Sequence, residues 1–139
     1  MYLLNILEYI SKIWKYTESI GDAEDLFERN EQMNLNASLT LLANIGENVI
    51  KISDDLKREY IDIDWQVIKD FRNRIVHNYI GIDLVLVHQI ITNDLHLLKT
   101  KIEIIINDKI KQKTFDIEEI NVCKESQYYR HIDFEKIFQ

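Results

Sequence analysis

Apolar residues recur along this chain with a helical period. Leu35, Leu39, Leu42, Gly46, Val49, Ser53 and Leu56 follow alternating spacings of four and three, and so do Leu84, His88, Ile91, Leu95, Leu98, Ile102 and Ile105. Each series marks one face of an α-helix. The first predicts a helix from about Met33 to Lys57. The second predicts one that opens after an Asp83 cap and runs to about Ile106 or beyond. Leu3, Leu7, Ile10 and Trp14 predict an earlier helix, about Leu3 to Tyr16, that ends before Gly21. A short acidic helix is expected after Asp22, whose carboxylate can cap it and whose neighbouring acids suit a positive helix start. A further helix is expected to start after Asp64, carry Trp65, Ile68, Phe71 and Ile75, and break around Tyr79-Ile80-Gly81. The predicted fold is all-α, an antiparallel four- to five-helix bundle.

The last long helix carries a second apolar row, including Leu86, Ile90, Leu97 and Ile104. A helix apolar on two sides is buried on two sides, either at the centre of the bundle or against a second copy of the chain in a homodimer. Gly46 and Ser53, small residues on a stripe, either let another helix backbone approach closely or simply face a bulky core neighbour. From Asn107 to Gln139 the periodicity fades, so residues 1–106 are read as the bundle and 107–139 as an extension of the same domain or an arm.

Composition supports helices. Proline is absent and glycine occurs only at 21, 46 and 81, although abundant isoleucine by itself favours strands. The length of 139 residues suits one domain. Cys123 is the lone cysteine, so no intrachain disulfide can form. The start of the chain has no basic leader, and no apolar run approaches the roughly 20 residues of a membrane span. A cytoplasmic protein is the expectation. The net charge of −7 argues against coating nucleic acid by bulk positive charge. The charge is nonetheless uneven. Glu18 to Glu31 holds six acids and one base, whereas Lys69 to His77 holds Lys69, Arg72 and Arg74 against Asp70.

Most signatures of chemistry are missing. His77, His88, His96 and His131 form no i, i+4 metal pair, and there is no glycine-rich phosphate loop. Neither a metal nor a cofactor is expected. Asp54-Asp55, Asp62 with Asp64, and Glu118-Glu119 read as caps and solvated faces, and His88 as a partly buried, hydrogen-bonded ring. One segment differs. Arg72-Asn73-Arg74-Ile75-Val76-His77-Asn78-Tyr79 gathers two guanidinium groups, an imidazole, a phenol and two carboxamides at a helix end. An imidazole with a pKa of roughly 6.5 exchanges a proton at neutral pH, and arginine holds a phosphate and steadies charge developing on it. RNA brings its own nucleophile, the 2′-hydroxyl. Arg72 and His77 are five residues apart and therefore lie about 140° apart around a helix. Arg72 and Tyr79, seven apart, come nearly into register, and Arg74 and His77, three apart, are neighbours. On chemistry alone, a solvated helix end and a catalytic site both remain open.

Arg72-x4-His77-x-Tyr79 resembles the motif of the HepT toxins, a branch of the HEPN superfamily of helical nucleases. The context is also similar: Ile45-Gly46-Glu47, Trp65 seven residues before Arg72, and Gly81-Ile82-Asp83 opening the last long helix. The resemblance covers about residues 1–106. It implies a homodimeric all-α ribonuclease that cuts RNA without metal, with Arg72 on the scissile phosphate, His77 as general acid and base, and Asn73, Arg74 and Asn78 in support. It also implies a partner, a minimal nucleotidyltransferase antitoxin of the MntA kind, that silences the toxin by transferring AMP to Tyr79.

The chain departs from that family at several positions. Ile61, Asp64 and His96 stand where the family often has proline, His88 where it often has tryptophan, and Asn5 where it often has histidine. The tail finds no counterpart. Its aromatics Tyr128, Tyr129, Phe134 and Phe138 are read as packing on the bundle, ahead of contacting a partner or stacking on RNA bases. Two other classes compete with a toxin ribonuclease: a non-catalytic helical subunit presenting substrates to a nucleotidyltransferase, and a plain dimeric interaction module.

Overall fold

The computed structural model describes residues 2–137. Helix α1, Tyr2–Thr17, buries Leu3, Leu4, Ile6, Leu7, Ile10 and Ile13, while Trp14 sits at the edge of that face, half-buried. Helix α2, Ala23–Glu28, is capped by Asp22, which accepts from the Asp25 N–H at 2.7 Å. A 3-10 turn, Arg29–Gln32, then reverses the chain with Asn30, Glu31 and Gln32 at φ 51°, 55° and 70°. Left-handed backbone is costly for residues with a Cβ. Side chains hold this turn: Asn30 Nδ2 donates to Asn34, and Asn34 Nδ2 donates to the Tyr16 carbonyl at 2.7 Å.

The third helix, α3, is Met33–Lys51 and stops six residues before the expected end. The apolar stripe continues through Ser53 and Leu56, but the chain turns at Ile52 into extended backbone. Ser53 is a cap rather than a stripe residue, its hydroxyl accepting from the Leu56 N–H at 3.2 Å. The short helix it opens, α4, Asp54–Glu59, has Asp54 and Asp55 in its first turn and Lys57 and Arg58 in its last, the charge order a helix dipole favours. Helix α5, Trp65–His77, begins at the Asp64 cap as predicted.

The last long helix is interrupted. Helix α6, Leu84–Gln89, opens on Asp83, passes through a π-helical turn, Ile90–Asp94, and continues as α7, Leu95–Lys111. A π turn displaces backbone partners. Here the Trp14 indole N–H donates to the Ile91 carbonyl at 3.0 Å, and the His96 ring stacks on Trp14 with centroids 4.2 Å apart. His88 is half-buried, but its ring makes no hydrogen bond among the described residues.

Helix α3 is the spine of the bundle, packed between α1 and α5 and antiparallel to both. Asn5 near the start of α1 meets Asn48 near the end of α3, and the Tyr16 carbonyl meets Asn34 near its start. The stripes of α1, α3 and α7 close a single core with Ile75 of α5 and Val87 of α6. The second apolar row does not lie at the centre of the bundle. Leu97 and Ile104 are 59% and 51% exposed in the single chain, while Leu86 and Ile90 line an open cleft of about 420 Å³ between α5 and the α6–α7 rod.

Beyond α7 the extension is described as far as residue 137. It forms α8, Ile117–Lys124, a 3-10 turn, Gln127–Tyr129, and α9, Phe134–Ile137, and buries Ile120, Phe134 and Ile137 in the core. Tyr129 donates to Asn5 Oδ1 at 2.6 Å. His131 meets the buried Glu8 carboxylate through its ring at 2.6 Å and its backbone N–H at 3.0 Å. Tyr129 and Phe134 thus pack on the bundle; Tyr128 is three-quarters exposed and does not, and Phe138 lies outside the described residues. No helix among the described residues is long and apolar enough to cross a membrane.

Candidate active site

The candidate residues sit on the second half of α5 and the loop after it, against α3. Arg72 emerges toward α3 where that helix has glycine. An added Cβ on Gly46 would stand 2.2 Å from Arg72 Cβ and 2.7 Å from its Cγ, so the arginine stem occupies the space of a side chain that α3 omits. The guanidinium then turns along α3. Its Nη2 forms an ion pair with Glu47, and its Nη1 donates to Asn73 Oδ1 at 2.9 Å. Nε is buried with no hydrogen-bond partner among the described residues. The Arg72 side chain is 23% exposed and that of Glu47 39%.

His77 is the last residue of α5 and is exposed; its ring makes no hydrogen bond among the described residues. The helix is unbroken from Arg72 to His77, so the 140° offset expected from their spacing holds, with the arginine against α3 and the imidazole in solvent. Arg74 is exposed one turn before His77 and lines the α5/α6–α7 cleft beside Asp70 and Phe71. Asn78 leaves helical geometry at φ −146°, and its carbonyl accepts from the Gly81 N–H at 3.2 Å, which turns the chain toward α6.

Tyr79 does not fall into register with Arg72, because the helix ends two residues before it. The phenol reaches instead to the start of α3 and donates to Asn36 Oδ1. Partial burial there pushes the phenol pKa above its ordinary value. Asn36 and Glu47, the respective partners of Tyr79 and Arg72, are eleven residues apart on α3, about 16 Å along its axis. Asn73, by contrast, joins Arg72 directly.

Two residues of the site were not singled out as site residues from the sequence. Glu47 had a signal: a glycine on an otherwise large apolar stripe marks a close approach, and the acid beside it can meet whatever approaches. Asn36 had none, since an exposed asparagine near a helix start is ordinary surface. Among the described residues no group of three or more His, Cys, Asp or Glu side chains converges in a way that could hold a metal ion.

An all-α bundle that seats an arginine against a glycine and a carboxylate, and presents a histidine at the end of the same helix, defines a helical protein with groups suited to phosphodiesters. Comparison with known proteins gives the family. Residues 6–105 match the family described as ribonuclease HepT-like, and the chain belongs to it. A Methanocaldococcus jannaschii protein named as a candidate RNase is 29% identical over 104 residues, 75% of this chain and 93% of that protein. A second from the same organism, named likewise, is 30% identical over 107 residues, 77% of this chain and 86% of its own. A Thermococcus cleftensis protein named as a candidate ribonuclease HepT is 30% identical over 102 residues, covering 73% and 90% of the two chains. No solved structure matches. Residues 106–139, with α8 and α9, lie beyond the family match.

Proposed function

We propose that this ribonuclease is the toxin of a toxin-antitoxin pair, an endoribonuclease that works in the cytoplasm as a homodimer and needs no metal ion. The observation that carries this reading is Arg72, seated by Gly46 and Glu47 yet partly exposed, with the exposed His77 imidazole five residues along the same helix. In the proposed reaction the 2′-hydroxyl oxygen of RNA bonds to phosphorus as its proton passes to an imidazole. The bond to the 5′-oxygen breaks, that oxygen takes a proton from an imidazolium of His77, and a cyclic phosphate and a 5′-hydroxyl remain. Arg72 holds the phosphate and stabilises the charge that develops on it. Asn73 orients Arg72, while Arg74 and Asn78 extend the polar surface around His77. Because Arg72 and His77 diverge around α5, a second copy facing the first closes a site more readily than one chain does. Leu97 and Ile104 give that copy an apolar surface.

Silencing by a nucleotidyltransferase of the MntA kind, through AMP on Tyr79, belongs to the same proposal. The phenol is 43% exposed, and its hydroxyl is held by Asn36. Purified protein should cut RNA in the presence of EDTA, and Arg72→Ala or His77→Ala should each lower the rate by about 10² to 10⁴. Light scattering should give twice the 16.7 kDa chain mass. Coexpression with the transferase should add AMP units that Tyr79→Phe loses. Cleavage that survives His77→Ala, or that EDTA abolishes in the wild type, would refute the mechanism.

A further inference from the structure

The pose of Arg72 is set from α3, and the residue that sets it is not among the motif positions. We propose that Glu47 is a positioning residue: its carboxylate holds the Arg72 guanidinium in the pose that receives a scissile phosphate, without touching the substrate itself. This rests on the ribonuclease reading above.

A guanidinium offers five N–H donors in a rigid fork. In Arg72 one goes from Nη2 to Glu47, one goes from Nη1 to Asn73, and the one on Nε is buried without a partner among the described residues. What remains for a ligand is one N–H on each Nη nitrogen, in a side chain 23% exposed. A phosphate taken bidentately by arginine needs two such donors side by side. The stem has no second choice of route, because Gly46 admits it where any Cβ would collide. The head does have freedom, and Glu47 removes it. No other carboxylate pairs with Arg72 among the described residues, and Asp70, the acid nearest in sequence, accepts from Gln66 at 2.8 Å.

The exposure of Glu47 separates positioning from mere stability. A pair whose acid is 39% exposed is partly screened and adds little to folding. What it gives is orientation, and a misplacement of about 1 Å near the chemistry can cost on the order of 10² in rate. Glu47→Ala should therefore lower kcat by about 10 to 100-fold while KM and the melting temperature change little. Glu47→Gln keeps an oxygen that accepts from Nη2, so it should recover most of the rate and leave the shape of the pH–rate profile unaltered.

The test compares wild type, Glu47→Ala and Glu47→Gln in cleavage of a short RNA. In parallel, the side-chain N–H resonances of Arg72, assigned through Arg72→Lys, are followed by ¹⁵N NMR. The wild type should show an ordered, exchange-protected Nε–H that Glu47→Ala averages toward solvent and Glu47→Gln restores. Two results would overturn the proposal: kcat and the Arg72 resonances unmoved in Glu47→Ala, or Glu47→Gln as slow as Glu47→Ala with one limb of the pH profile gone, which would make Glu47 a proton-transfer group. A wild type that cuts no RNA, yet whose Arg72 resonances collapse in Glu47→Ala, would refute the ribonuclease reading and leave the positioning of Arg72 standing.

Discussion

Gly46→Ala is the most exacting perturbation of this site, because its cost follows from geometry. A Cβ at position 46 would meet Arg72 Cβ at 2.2 Å, against ordinary contacts of about 3.4 to 4 Å. Arg72 Cβ is fixed to the backbone of α5 and cannot rotate away, so the two helices must separate locally by about 1.2 to 1.8 Å. Overpacking of this kind costs about 1 to 3 kcal/mol, and the upper end applies where backbone has to move. Replacing glycine by alanine inside a helix returns up to about 1 kcal/mol. The net loss is about 2 kcal/mol, which for a chain of this length lowers the melting temperature by about 6 to 10 °C. The shift also carries Arg72 away from Glu47, so RNA cleavage should fall by more than the loss of folded protein explains, toward 10²-fold. Thermal unfolding by circular dichroism, with cleavage assayed well below the transition, measures both. A Gly46→Ala protein as stable as the wild type or more so, with full activity, would mean that α3 and α5 do not touch at Arg72 and that the description of the site is wrong.

Three further outcomes follow from particular contacts. Ser53→Ala removes the cap of α4 and should cost about 1 kcal/mol in urea unfolding, with activity unchanged. His131→Ala withdraws the ring that partners Glu8, a carboxylate only 2% exposed, and should cost about 1 to 3 kcal/mol, whereas Tyr128→Ala, on an exposed side chain, should cost almost nothing. The Tyr60 phenol is pushed up to about 12 by burial and by its hydrogen bond to Asp108. The unfolded chain therefore ionises it first, above a pKa of about 10. Its contribution to stability is complete below pH 10 and is lost as pH rises from about 10 to 12, so Tyr60→Phe should flatten the alkaline fall in stability over that window.

The parts legible in the sequence are those governed by local rules. Asp22, Asp64 and Asp83 each cap the helix expected of them, because an aspartate before an apolar period satisfies the first free N–H groups whatever lies around it. The stripes of α3 and α7 are buried for the same reason. What the pattern missed is where a local rule and a tertiary one conflict. Ser53 continues the α3 period, yet it also has the side chain that starts a new helix. The chain takes the second course, and no periodicity can choose between them. The π turn at Ile90–Asp94 was invisible because the partner for its carbonyl is an indole 77 residues earlier in the chain. The tail was illegible for a related reason: among its described residues only three, Ile120, Phe134 and Ile137, are buried apolar positions, too few and too widely spaced to show a period.

The same distinction applies to the site. The 140° divergence of Arg72 and His77 was readable because both belong to one helix, whereas the partners of Arg72 and Tyr79 were not, because both lie on another. Those partners separate the two proposed functions that the motif compresses into eight residues. Arg72 is held near the end of α3 by Glu47, and Tyr79 near its start by Asn36, about 16 Å apart along the axis. Forming the phosphodiester replaces the proton that the Tyr79 oxygen donates to Asn36, so AMP addition ends that hydrogen bond and frees the modified side chain from the start of α3. On the proposed silencing mechanism the bond therefore competes with modification, and the freed adduct swings its phosphate toward Arg72. Asn36→Ala tests this: releasing the phenol beforehand should speed AMP addition and leave the modified protein as fully silenced as the wild type. Equal rates of AMP addition in Asn36→Ala and wild type would show that the hydrogen bond plays no part in regulation.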